Sequence, residues 1–126
     1  MSTDLKTLTI VLTDGPYISE QAEMAYKIAR AALKHYQVNV FLYLDGVHVP
    51  KVGQRPAIFA NIGGLFLELA REGATIRGCM RCATARGYRA KEDQSCMDYP
   101  EDIKISSIYE LAEMLKRSDK VISLSR

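Results

Sequence analysis

The sequence lacks the features of several common protein classes. No apolar run approaches the roughly 18 residues that a membrane-spanning helix requires. No G-x-G-x-x-G follows the first predicted strand and no G-x-x-x-x-G-K-[ST] occurs, so the glycine-rich phosphate cradles are missing. The G-x-S-x-G elbow and the H-E-x-x-H pair are missing too. These absences argue against a membrane protein, a nucleotide enzyme, a serine hydrolase and a zinc peptidase.

Excess charge of one sign is also small. The net charge of +2 and the pI near 8.4 do not favour nucleic-acid binding, which usually needs a clearly basic face. The local distribution is more informative, because between positions 71 and 91 Glu72 is the one acid. The bases of that segment are Arg71, Arg77, Arg81, Arg86, Arg89 and Lys91. Two of the three cysteines lie in the same cationic segment.

The amino-terminal stretch MSTDLKTLTIVLTDGP has no basic region followed by a long apolar run and a small-residue cleavage site. We therefore expect a cytoplasmic protein without membrane contact. In that reducing compartment, three cysteines are more typical of free, catalytic or metal-bound thiols than of a disulfide framework.

The 126 residues, 48% of them hydrophobic, suit one domain over positions 1–126 with its own core. Short β-branched runs alternate with helical periodicity almost throughout. The pattern predicts strands at 8–12, 38–44, 74–78, 103–105 and 121–124. It predicts helices at 19–36, 62–71, 79–87 and 107–117, the last with an S-x-x-E capping box. This alternation indicates an α/β fold in which a mostly parallel sheet of about five strands is covered on both faces.

Cys79 follows the third predicted strand directly. Ligands and catalytic groups collect at the carboxyl ends of parallel strands. There the start of the next helix, Arg77 and Arg81 would favour the thiolate. The alternative reading is a small buried apolar residue, since free cysteine is among the most buried types. Position and charge alone leave both readings open.

The other candidates for the site are weaker. Cys82 completes a C-x-x-C spacing, which suits a redox pair, half of a zinc site or simple packing. Cys96 stands in a polar stretch, where it could approach the site or lie on the surface, and the surface position is favoured. A zinc site of Cys79, Cys82, Cys96 and His48 lacks a second paired ligand spacing and is not favoured. His48 follows the second strand. It could act there as an acid, a base or a hydrogen-bond donor to an anion, or it could simply be a solvated loop residue.

Three stretches resemble the DsrE/DsrF-like family of small sulfur-relay proteins of the TusD and DsrE type. They are VLTDGPYISEQAEMAYKIARAAL, VNVFLYLDGVHVPKVGQ and GCMRCATARGY, which occur in the family's order and with similar spacing. By this resemblance Cys79 matches the sulfur-accepting cysteine. Cys82 stands where TusD-type sequences have a small apolar residue, which suggests a dithiol device or a different sulfur species.

The resemblance implies a three-layer α/β/α fold related to flavodoxin-like topology and assembly into trimers or hexamers, and it implies no cofactor. It implies that sulfane sulfur, as persulfide or thiosulfonate, passes from a donor protein to Cys79 and on to an acceptor protein. Arg77 and Arg81 would stabilise the anions. A thiol-sensing or redox protein that uses Cys79 and Cys82, and a non-catalytic subunit of a relay complex, are the alternatives.

Overall fold

The computed structural model describes residues 5–126, in which strands alternate with helices. The strands are β1 Lys6–Leu12, β2 Tyr36–Leu42, β3 Thr75–Cys79, β4 Lys104–Ser106 and β5 Lys120–Leu124. The helices are α1 Gln21–Ala32, α2 Ile62–Arg71, α3 Met80–Ala85 and α4 Ile108–Arg117. A short 3₁₀ helix, Leu44–His48, follows β2 and is called here the 44–48 turn.

The five described strands form one sheet in the order β4-β3-β2-β1-β5, and every neighbouring pair is parallel. The predicted α/β fold with a parallel sheet of five strands is therefore confirmed. The order differs from the 2-1-3-4-5 order of flavodoxin, since here the chain reverses direction across the sheet only after β4. All carboxyl ends of the strands consequently lie along one edge, where β3 ends at Cys79.

One face of the sheet is apolar and forms the main core. The register places Ile10 beside Val40, and Val40 beside Ile76, so their side chains share this face. All three are completely buried. Helix α1 adds a stripe of small residues, and α2 adds Phe66 and Leu69. Burial of this apolar surface is the main force that holds α1 and α2 on the sheet.

The opposite face is covered by α4 and carries buried polar side chains beside the completely buried Phe41. Thr9 is fully buried there, receives a hydrogen bond from Asn39 and is bonded to Ser118 just after α4. Arg77 lies on the same face and forms an ion pair with Glu110 of α4. Hydrogen bonds satisfy Thr9, as expected of a buried polar group, whereas the buried Arg77 Nε has no hydrogen-bond partner and only the ion pair with Glu110 at 3.6 Å. Cys79, two residues after Arg77, shares this face.

Helix α1 and strand β2 both end earlier than the sequence predicts. Helix α1 ends at Ala32 rather than near position 36, because Tyr36 already pairs with Lys6 as the first residue of β2. Strand β2 ends at Leu42, and the predicted last two residues leave the ladder to enter the 44–48 turn.

The predicted capping box of α4 does not form, although Ser107 stands at the predicted capping position. Ser107 is the capping residue, but its side chain makes no capping hydrogen bond. The Glu110 amide instead donates to the Ser107 carbonyl at 3.0 Å. The Glu110 carboxylate turns toward Arg77, so it does not close the reciprocal half of the box.

Candidate functional site

Cys79 occupies the last position of β3 and caps the amino end of α3. It pairs in register with Ser106, the last residue of β4, and its side chain is only 2% exposed. Cys79 thus lies at the carboxyl end of the third strand as predicted, and β3 keeps the expected length of five residues but is shifted by one residue toward the carboxyl end. The chain turns here because Cys79 keeps an extended conformation while Met80 starts the helix.

A cavity of about 140 Å³ opens beside Cys79. Its lining residues come from the ends of four elements, and they are Tyr43, Cys79, Arg81, Cys82 and Ile108. Both cysteines of the C-x-x-C motif thus face the same small space, and Arg81 brings a cation to it. A small sulfur species on either thiol would lie in this cavity.

Cys82 lies in the first turn of α3, three residues after Cys79, and is buried. The Leu44 backbone N–H donates a hydrogen bond to the Cys82 Sγ at 3.1 Å. Leu44 adopts φ 52°, which is uncommon for a residue with a branched side chain. Burial, and then the interaction with Cys79, raise the pKa of Cys82, although the Leu44 amide and Arg86 oppose the shift. Cys82 therefore favours its protonated thiol.

Arg86 connects α3 to the 44–48 turn. Its Nε donates to Asp45 Oδ1 at 2.8 Å, and its Nη1 donates to the Cys82 carbonyl at 3.0 Å. The hydrogen bond from Arg86 lowers the pKa of the Asp45 carboxyl group. This bridge fixes the distance between Cys82 and the turn that supplies the Leu44 amide.

The two predicted anion-stabilising arginines have different surroundings. Arg81 is exposed and lines the cavity. Arg77 shares a sheet face with Cys79, but its Nε lies 3.6 Å from Glu110 Oε2 and its Nη1 donates to the Ile76 carbonyl. The nearby carboxylate partly neutralises Arg77. Arg81 is consequently better placed to attract an anion to the cavity.

His48 lies outside the lining of the cavity. Its Nδ1 is 2.8 Å from the Tyr88 hydroxyl oxygen, and its Nε2 is 4.0 Å from Asp45 Oδ1. With 40% of its side chain exposed, His48 matches the reading of a partly solvated loop residue. It contacts the site only through Asp45 and its partner Arg86.

The expected surface position of Cys96 is wrong, because Cys96 is buried with 5% exposure. Cys96 forms an isolated antiparallel bridge with Ala90, and its carbonyl accepts the Tyr99 amide at 3.0 Å. These bonds fold the polar-looking segment back onto the core. Over residues 5–126 no group of three or more His, Cys, Asp or Glu side chains is arranged to hold a metal ion. The four residues weighed as zinc ligands do not form such a group.

Comparison with known sequences relates this chain to one family. The sequence model of the DsrE/DsrF-like family matches residues 6–124, nearly the whole chain. The chain belongs to the DsrE/DsrF-like family. The resemblance carried by the three sequence stretches is thereby confirmed.

Two relatives of this DsrE/DsrF-like chain are of similar length. An uncharacterized protein from Methanopyrus kandleri is 31% identical over 94% of this chain and 93% of its own. An uncharacterized protein from Methanocaldococcus jannaschii is 32% identical over 91% and 96%, respectively. The crystal structure of the ychN protein from E. coli superposes with a TM-score of 0.77, at 23% identity, over 95% of this chain and 100% of that one. That structure supports the fold.

DsrE/DsrF-like membership supports a role related to sulfur relay in general, together with partner proteins. None of the helices within residues 5–126 is long and apolar enough to cross a membrane. The family does not by itself assign the roles of Cys79 and Cys82, which are argued from the site.

Two groups of the site, the Arg86 side chain and the Leu44 amide, were not predicted from the sequence. Arg86 was noted only as one base of a cationic segment, although its position four residues after Cys82 puts both on one face of a helix. That spacing was the available signal. The Leu44 amide gave no signal, because a leucine in left-handed conformation is not expected from its residue type.

Proposed function

We propose that the protein carries sulfane sulfur on Cys79 within a relay between a donor protein and an acceptor protein. The observation that carries the proposal is the position of Cys79 at the carboxyl end of β3, in a cavity shared with Cys82 and Arg81, in a member of the DsrE/DsrF-like family. Thiol reactivity follows such electropositive surroundings. Arg81 at the cavity supports attraction of an anionic sulfur species.

The chemistry needs no cofactor and balances as two exchanges. In loading, the Cys79 thiolate attacks the outer sulfur of a donor persulfide; the new S–S bond forms on Cys79, and the donor leaves as a thiolate. In delivery, an acceptor thiolate attacks the sulfur held on Cys79, and Cys79 leaves as a thiolate. No net oxidation occurs in either step.

The test is incubation of the reduced protein with inorganic polysulfide, removal of the excess, and measurement of intact mass and of tryptic peptides. We expect a gain of one sulfur atom on the Cys79 peptide of the native protein, and its loss in Cys79→Ser. Cys96→Ser is the matched control, because Cys96 is equally buried but does not line the cavity. Unchanged loading of Cys79→Ser would refute the proposal.

A second candidate function is a dithiol redox or thiol-sensing device, favoured by the shared cavity of Cys79 and Cys82. Its reaction removes two protons and two electrons from the pair, and therefore requires an oxidant such as another disulfide. The same mass measurement separates the two functions. Loss of two hydrogen atoms, with a link between the Cys79 and Cys82 peptides, would favour the redox device.

Assembly into trimers or hexamers and a cytoplasmic location belong to the same proposal. Exposed apolar side chains support assembly, with Ile58 88% and Phe59 61% exposed beside Ile18 and Tyr17. Contiguous exposed apolar surface is typical of interaction sites. The mass of the native particle in solution measures the assembly directly, and a monomer would exclude a homo-oligomer.

A further inference from the structure

A sulfur carrier needs a single reactive cysteine, so the proposed function leaves the second thiol of the cavity unexplained. Cys82 is not a residue simply packed among apolar neighbours, because its sulfur receives a directed hydrogen bond from the Leu44 amide. The role of Cys82 inferred here rests on the proposed function, because it requires Cys79 to be the reacting sulfur.

The hydrogen-bonding capacity of Cys82 limits where its proton points. A thiol sulfur accepts weakly and donates one S–H. The Leu44 N–H occupies the acceptor side of the Cys82 sulfur at 3.1 Å. Cys79 caps the amino end of α3, Cys82 lies in its first turn, and both line the same cavity. Burial first, and then Cys79, raise the pKa of Cys82, so Cys82 keeps its proton. The S–H of Cys82 is thus available for the Cys79 sulfur.

The turn that supplies the Leu44 amide is held by two independent contacts. A Cβ on Gly46 would lie 2.4 Å from the Leu12 carbonyl oxygen, so the backbone of the turn packs directly against the end of β1. Arg86 bridges Asp45 of the turn and the Cys82 carbonyl. A donor held in place before reaction costs little reorganisation when charge develops.

We infer that Cys82 is a positioning residue that relays a hydrogen bond, from the Leu44 N–H through the Cys82 S–H to the Cys79 sulfur. The relay stabilises the Cys79 thiolate as the nucleophile in loading and as the leaving group in delivery. The proton stays on Cys82 throughout, and no disulfide forms. Successive hydrogen bonds polarise one another, so the amide strengthens the thiol as a donor.

Other charged and titratable groups belong to the elements around Cys79, and each is the same in native protein and in the Cys82 variants. They come from every element around the thiol, and they are Arg77, Arg81, Arg86, Tyr43, Asp45, His48, Tyr99, Lys104 and Glu110. The relay is therefore tested by changing Cys82 alone.

The experiment measures the rate at which iodoacetamide modifies Cys79 as a function of pH, in reduced native protein, Cys82→Ala, Cys82→Ser and Cys96→Ser. Trypsin cleaves after Arg77, Arg81 and Arg86, so Cys79 and Cys82 are quantified on separate peptides. Loss of a hydrogen bond to a charged sulfur should raise the midpoint of the Cys79 profile by about one pH unit in Cys82→Ala. Cys82→Ser keeps a donor and should recover most of that shift.

Cys96→Ser should leave the Cys79 midpoint where it is in native protein. A Cys82→Ala profile that overlays the native profile would overturn the relay, and so would a Cys82→Ser midpoint equal to that of Cys82→Ala. Alkylation requires no sulfur donor, so this result is independent of sulfur loading. Failure of Cys79→Ser to lose sulfur loading sinks the proposed function, whereas an unmoved midpoint sinks only the relay.

Discussion

The protein buries two groups of cysteines in very different surroundings. Cys79 and Cys82 face a cavity beside Arg81, and a strained backbone amide contacts the Cys82 sulfur. Cys96 is similarly buried, but it pairs with Ala90 in an isolated β-bridge and does not line that cavity. Burial alone therefore does not separate Cys79 and Cys82 from Cys96. Access to a cavity and directed hydrogen bonds make the difference.

The largest effect on this contrast should come from Gly46→Ala, which strikes the turn beside Cys82. The added Cβ would meet the Leu12 carbonyl oxygen at 2.4 Å, and backbone cannot yield as a flexible side chain does. We expect a loss of about 2–3 kcal/mol in the free energy of unfolding, measured with urea. Displacement of Leu44 should also slow the modification of Cys79 at neutral pH.

Gly64→Ala is the matched control for Gly46→Ala. An added Cβ at Gly64 would make only ordinary contacts with the Asn61 side chain, at 3.5 Å or more. Gly64 lies in α2, where alanine is favoured over glycine by about 0.5–1 kcal/mol. A Gly46→Ala protein as stable as Gly64→Ala would mean that the turn is not fixed by its contact with β1.

A smaller loss of stability is expected from Tyr99→Phe, a substitution three residues after Cys96. The buried Tyr99 hydroxyl donates to the Val47 carbonyl of the 44–48 turn, and its ring packs over Gly78. Loss of this donor leaves a buried carbonyl without its partner and should cost about 1–2 kcal/mol of unfolding free energy. The modification of Cys79 should change less than in Gly46→Ala, because the close contact with Leu12 still holds the turn.

Tyr109→Phe removes the same hydroxyl from a side chain that is 79% exposed. Its unfolding free energy should stay within about 0.5 kcal/mol of the native value. If Tyr99→Phe were equally neutral, the bond between the Cys96 segment and the turn would not stabilise the fold.

The position of Cys79 was predictable from sequence because its determinants are local. A β-branched run ends at Gly78, a helix with a glycine stop follows, and strand ends carry sites in this class of fold. Gly87 adopts the positive φ expected of that stop, at 96°. The strand order β4-β3-β2-β1-β5 needed the structure, but the parallel alternation did not.

The surroundings of the cysteines were less predictable because they depend on contacts distant in sequence. Arg77 was expected to stabilise an anion at Cys79. It forms an ion pair with Glu110 because α4 covers the sheet face on which Arg77 lies. Cys96 was expected at the surface because its neighbours are polar, yet a bridge to Ala90 buries it. Local composition contains neither of these pairings.

The smallest effect is in the alkaline stability, where the two regions should respond in different pH ranges. The fold raises the pKa of Cys82 above its ordinary 9.0 and that of Tyr99 above its ordinary 10.0, in both cases mainly through burial. The native state then holds protons that the unfolded chain releases, so the unfolding free energy falls as pH rises. The contribution of Cys82 begins to be lost near pH 9, and that of Tyr99 near pH 10.

Urea unfolding at a series of alkaline pH values separates the two contributions. Cys82→Ala should show a shallower decline than native protein above about pH 9, since the unfolded chain no longer releases that proton first. Tyr99→Phe should follow the native decline until about pH 10 and become shallower only beyond it, although Tyr88, whose pKa is also raised, continues to contribute there. If the unfolding free energy fell with the same slope against pH in native protein, Cys82→Ala and Tyr99→Phe, the fold would not raise the pKa of either group. The Cys82 thiol would then lose the property that distinguishes it as a hydrogen-bond donor to Cys79.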